Sequence, residues 1–171
     1  MIALLLACAV TSTQKVDLRG DGNAFALESL KCPEDTTGLR LRDPAGKELL
    51  FIDAVDGLQR YRSRDRDYIM FSTEGPHGGV PAIYGWVGGK VAELQWPDFG
   101  EIARAAHLAR DREIRDRAMA LEARGGKLYF LCRAWKHDEP MASDTIGVEA
   151  RVEPDPARGV LRVISARRVK D

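Results

Sequence analysis

Asp98-Phe99-Gly100-Glu101-Ile102-Ala103-Arg104-Ala105-Ala106-His107-Leu108-Ala109-Arg110-Asp111-Arg112-Glu113-Ile114, continuing to Arg124, is the stretch whose reading decides the fold class. Asp98 with Glu101 three residues later fits a capping box, and Gly125-Gly126 supplies a stop, so the pattern predicts a helix over about 98–124. Asp111 with Arg115, Arg112 with Asp116 and Glu113 with Arg117 are opposite charges one turn apart, each pair worth a few tenths of a kcal/mol. The apolar stripe is broken. Ile102, Ala106 and Ala109 share one face, while Ile114, Ala118 and Leu121 lie about 120° round from it, at roughly 100° per residue. Such a helix has to kink near 110–113 or pack its halves against different surfaces, with its charged side as a solvated flank.

The sequence on either side reads as strands. Leu39-Arg40-Leu41-Arg42 alternates apolar and charged residues, Asp43-Pro44-Ala45-Gly46 makes a turn, and residues 49–55 return. Tyr68-Ile69-Met70-Phe71 is a buried strand, and Ala82-Ile83-Tyr84-Gly85-Trp86-Val87 is the next. Gly88-Gly89 joins that strand to Lys90-Val91-Ala92-Glu93-Leu94 as a short hairpin. Residues 146–152 and 160–169 flank Pro154-Asp155-Pro156-Ala157-Arg158-Gly159 as a terminal hairpin. The expected fold is therefore α+β: mainly antiparallel sheet with hairpins, plus one long charged helix.

The chain of 171 residues suits a single domain, expected over 10–171, behind a leader over 1–9. Its 26 basic and 26 acidic residues cancel, so no global field favours nucleic acid or an anionic membrane. Met1-Ile2-Ala3-Leu4-Leu5-Leu6-Ala7-Cys8 carries no charge. Leu5-Leu6-Ala7-Cys8 has the form of a bacterial lipobox, which makes Cys8 a lipidation site and places the protein in the periplasm or on a membrane by its lipid. Against this, the first charge is Lys15, so the basic region of a secretory signal is missing. The alternative is a first strand buried in a cytoplasmic protein. With Cys8 removed or lipidated, Cys32 and Cys132 have one intramolecular pairing, a disulfide if the protein is exported. In a cytoplasmic protein Cys132, within Leu128-Tyr129-Phe130-Leu131-Cys132, is a buried free thiol.

One stretch has the look of a ligand loop, Asp17-Leu18-Arg19-Gly20-Asp21-Gly22-Asn23. Calcium takes several oxygen ligands at alternate loop positions, with a glycine at the sharp turn and a closing glutamate. Asp17, Asp21, Gly22 and Glu28 meet that spacing, so Asp17, Asp21 and Glu28 are the candidate metal ligands and Ca²⁺ the only cofactor in view. Arg19 stands where a further oxygen ligand belongs, and the competing reading is a metal-free hairpin turn. The loop resembles the Asp-x-Asn-Gly-Asp-Gly-x-x-Asp turn of FG-GAP or VCBS-type repeats, matched at Asp17, Gly20, Asp21 and Gly22. Tyr84-Gly85-Trp86-Val87-Gly88-Gly89-Lys90-Val91 resembles the aromatic hairpin that accompanies it. The resemblance implies a small exported bacterial protein, with Arg19 in place of Asn or Asp and Phe25 in place of the last Asp.

Catalytic patterns are sparse. There is no G-x-S-x-G elbow, no H-E-x-x-H and no paired C-x-x-C, and His77, His107 and His137 are far apart in sequence. Trp86, Trp96 and Trp135 read as core residues, with a ligand groove as the functional alternative. The expected role is a non-catalytic binding or structural protein of the envelope with a protein partner. The second reading is an inhibitor or immunity-type protein that blocks an enzyme through the 74–79 loop, with His77, Gly78 and Gly79 at its tip. The third is an unfamiliar enzyme using His77 as general base.

Overall fold

The computed structural model describes residues 8–73, 79–115, 119–137 and 145–169. These form three antiparallel sheets, each built from strands consecutive in sequence. The first holds β1 (Ala9–Val16), β2 (Phe25–Lys31), β3 (Thr37–Arg42) and β4 (Glu48–Ile52), in that order. The second holds β5 (Val55–Ser63), β6 (Arg66–Thr73), β7 (Val80–Val87) and β8 (Lys90–Glu93), again in order. A helix, α1 (Phe99–Ala105), leads to the third sheet. There β9 (Arg112–Ile114) and β10 (Ala120–Arg124) both pair with β11 (Lys127–Lys136), followed by β12 (Ile146–Asp155) and β13 (Val160–Val169).

The α+β expectation is corrected: the described chain is nearly all β, with one α-helix of seven residues. Its start matches the capping pattern, since Asp98 accepts from the Glu101 N–H at 2.6 Å. It stops after one face is used. Ile102 and Ala106 enter the core, His107 takes φ 50°, and Arg168 donates to the Ala106 and His107 carbonyls. Magnitudes explain the break. Three surface charge pairs contribute about 1 kcal/mol together, whereas burying one Ile side chain contributes about 1.5–3 kcal/mol. One straight helix cannot bury both Ile102 and Ile114; a helix followed by a strand does, with Ile114 opposite Ala134.

Gly125-Gly126 is a hairpin turn rather than a helix stop. Both glycines take positive φ (56° and 72°), as do Gly88 and Gly89 (56° and 86°), and this suits the two-residue turn between twisted strands. The hairpins expected at 39–55, 82–94 and 146–169 are present, although in the first the return strand ends at Ile52 and Val55 begins β5.

The second sheet is the middle layer. Tyr68 and Met70 of β6, with Tyr61, Ile83 and Leu94, pack towards α1 and the third sheet. Ile69 and Phe71 of the same strand, with Val55 and Ala82, pack towards Val16, Leu18, Phe25, Leu27, Leu39 and Leu41 of the first. A strand covered on both faces needs an unbroken apolar run, which Tyr68-Ile69-Met70-Phe71 supplies. Asp67 locks the first layer onto the second. It is 2% exposed, its Oδ2 accepts the Asp17 N–H at 2.7 Å, and its own N–H donates to the Asp17 carbonyl at 2.8 Å. Arg62 donates to Oδ1 at 3.2 Å. Asp67→Ala strands the Asp17 N–H and removes one of the two partners of Arg62, leaving the Asp65 carbonyl. It is expected to cost about 2–3 kcal/mol in urea unfolding; a loss below about 0.5 kcal/mol would show that the seam is idle.

Candidate functional site

The 17–23 turn brings Asp17 and Asp21 together but uses their carboxylates on the chain itself. Asp17 accepts from the Gly20 N–H at 2.8 Å and the Gly22 N–H at 3.0 Å, and Asp21 accepts from the Asn23 N–H at 2.9 Å. Hydrogen bonds from Asn23, the backbone one first, hold the Asp21 carboxyl below its ordinary value. Glu28 lies on β2 opposite Arg40, bonded to its Nε at 2.5 Å with Arg42 at 3.6 Å. No three His, Cys, Asp or Glu side chains gather into a metal-sized group among the described residues. Arg19 has a packing role: its guanidinium lies 4.2 Å from the Trp86 ring centre and 5.1 Å from that of Phe25. The two rings themselves are 5.6 Å apart. A cation held against aromatic faces contributes about 0.5–2 kcal/mol, which accounts for an arginine in a turn that would otherwise take Asn.

The cysteine pairing is also corrected. Cys32 is bonded to Cys8, and Cys132 is a buried free thiol. Cys132 lies on β11 between Leu131 and Arg133, its side chain in the core with Val148 and Ala150, and burial pushes the thiol up to about 12. Cys8 and Cys32 continue the β1–β2 register one step beyond Ala9 and Lys31, so the bridge closes the open end of that hairpin. Cys8 and Ala9 are thus part of the first hairpin of the described structure.

Of the partner loop, His77 and Gly78 lie outside the described residues, and Gly79 is the exposed residue before β7. The other two histidines are apart: His107 follows α1, while His137 follows β11 with Nδ1 3.4 Å from Glu113 and Nε2 3.0 Å from the Arg110 carbonyl. The tryptophans do not share a groove. Trp86 stacks with Arg19, Trp96 packs with Phe99 and Phe130, and Trp135 is buried in β11.

The surface that sequence reading missed is the outer face of the third sheet. Glu149 points outward there yet is 7% exposed, gripped by Arg124 from β10 and by Arg167 from β13, whose Nε and Nη2 lie at 2.9 and 2.7 Å. The Arg124 guanidinium also sits 4.3 Å from the Tyr129 ring centre. Four residues along β12, Arg151 (3.4 Å), Arg162 (3.5 Å) and Arg64 (3.6 Å) surround Glu153. With Glu122 beside Arg124, five arginines share three carboxylates, an excess of two positive charges. Tyr129, Glu149, Arg151, Ser165, Ala166 and Arg167 line a cleft of about 330 Å³. The cleft adjoins an irregularity at Arg151/Val152, where β13 carries Ile164 as an extra residue. The alternation Glu149-Ala150-Arg151-Val152-Glu153 signalled a polar outer face; the cross-strand partners come only from register.

The hydrogen bond from Arg124, with help from Arg167, holds the Glu149 carboxyl below its ordinary value of 4.5. The unfolded chain therefore binds this proton more readily than the folded one. Glu149 contributes stability above pH 4.5, and that contribution is lost as pH falls from there towards the folded value. Glu149→Gln is expected to flatten the acid limb of the stability–pH curve. An unchanged limb would show that the two arginines do not discriminate between its charge states.

Comparison with protein families, with curated proteins and with solved structures found no match to this chain.

Proposed function

We propose that this is an exported binding protein of the cell envelope with a non-catalytic role. One observation carries the reading: the Cys8–Cys32 bond, since disulfides persist in oxidising compartments and are rare where thiols are kept reduced. The groups with raised pKa also fit a structural rather than a catalytic assignment. Tyr68, like Cys132, is pushed up to about 12 by burial in the core. Lipid anchoring and the bridge are alternative fates of one sulfur, because a thioether at Cys8 leaves Cys32 without its partner.

Non-reducing peptide mapping of protein recovered from the periplasm tests this. The expected product is a Cys8–Cys32 cross-linked peptide, with Cys132 alkylated only after unfolding. Alkylation of both Cys8 and Cys32 in the native protein would overturn it. Reduction is expected to lower stability by about 3 kcal/mol on the chain-entropy model, for a separation of 24 residues.

We propose further that the 17–23 turn needs no ion, because its aspartates are already satisfied by backbone N–H groups. Millimolar calcium or a chelator should leave Tm unchanged. A rise of several degrees with calcium would assign Asp17 and Asp21 to a metal after all.

A further inference from the structure

We infer that the outer face of the third sheet, from β12 to the open edge of β13, is a docking surface for an extended acidic segment of a protein partner. This deepens the binding role proposed above and rests on it. Charge gives the sign of the partner: the ion-pair cluster of four arginines on the third sheet, Arg64 reaching in from the β5–β6 turn, and three glutamates carries an excess of two positive charges in a chain whose total is balanced. The carboxylates hold the guanidiniums in place, and the side chains stay accessible at 37% for Arg151, 51% for Arg162 and 72% for Arg167. Planar guanidinium forks suit carboxylate oxygens two at a time.

The form of the partner follows from the strand. Among the described residues β13 ends its sheet and Gln95 alone bridges its outer side, at Val160, so the stretch beyond is an open edge able to accept another strand. Ile164 and Val169, two large apolar side chains exposed at 38% and 39%, lie on this edge strand among Arg162, Arg167 and Arg168. Residues alternating acidic and apolar would set carboxylates on the arginines and apolar groups on Ile164, with the 330 Å³ cleft receiving one side chain. A second copy of the chain is the wrong occupant, since two β13 edges would bring arginines against arginines.

Fluorescence anisotropy with three probes tests the inference: a blocked alternating Glu-Val peptide, the same peptide N-methylated on alternate residues, and heparin. The Glu-Val peptide is expected to bind, weakening with salt. The N-methylated form should lose binding because its amides no longer pair with the edge. Arg151→Gln with Arg167→Gln should weaken binding roughly tenfold or more. A second pair, Arg151→Gln with Arg162→Gln, leaves the contacts of Glu149 intact and should act likewise, with thermal unfolding reporting that each variant is folded. Arg40→Gln, on the first sheet, should have no effect. Equal binding of heparin and both peptides would overturn the strand-addition surface in favour of general polyanion binding. No binding by any probe would overturn the docking surface altogether. If the Cys8–Cys32 bridge is still found in periplasmic protein, that failure leaves the envelope reading standing.

Discussion

A sheet buried on both faces has to be covered twice, and most of this structure is the consequence. β6 places Tyr68 and Met70 on one side and Ile69 and Phe71 on the other, so neither outer sheet can be dispensed with. Polar backbone has to cross the seams without losing partners. On one seam, Asp67 exchanges hydrogen bonds with Asp17 and Arg19 stacks against Trp86. On the other, Gln95 bridges to Val160, and Trp96 donates to the Pro81 carbonyl while packing against Phe130. Within the middle sheet, Gly85 of β7 makes room for the Tyr68 ring of the neighbouring β6, since a Cβ there would sit 2.7 Å from that ring.

The first sheet shows what happens where cover runs out. In β1 every side chain but Val16 is exposed, so this strand gains little from the core. The Cys8–Cys32 bond fastens the end of the hairpin that packing leaves unsupported, while the Asp17 turn closes the other end. Covalent and hydrogen-bonded closure do here what burial does for β6. The outer face of the third sheet solves a related problem with charge. Glu149 is nearly enclosed, and two arginines from neighbouring strands make that tolerable for an ionised carboxylate.

Much of this was legible in the chain. The hairpin at Gly88-Gly89, the turn at Asp43-Pro44-Ala45-Gly46 and the strand at Tyr68 follow from local chemistry, and local chemistry decided them in the structure too. The stretch from 98 to 124 failed for a physical reason. Capping and charge spacing are local signals, present whether or not a helix continues, and only its first seven residues found a surface to pack on. The same Gly-Gly dipeptide turns a hairpin at 88–89 and at 125–126, and the second was obscured by the helical signals before it. The arginine face was equally hidden, because Arg124, Glu149 and Arg167 are far apart in sequence and meet only through the β10–β11–β12–β13 register.

By itself the sequence determined turns, strand alternation and the double burial of β6, all of which depend on residues within a few positions of one another. Tertiary structure alone decided the length of α1, the choice of Cys8 rather than Cys132 as partner of Cys32, and the gathering of arginines around Glu149 and Glu153. Each of those turns on which distant strands become neighbours. That is settled by how three sheets share two interfaces, a property of the whole chain that no local window contains.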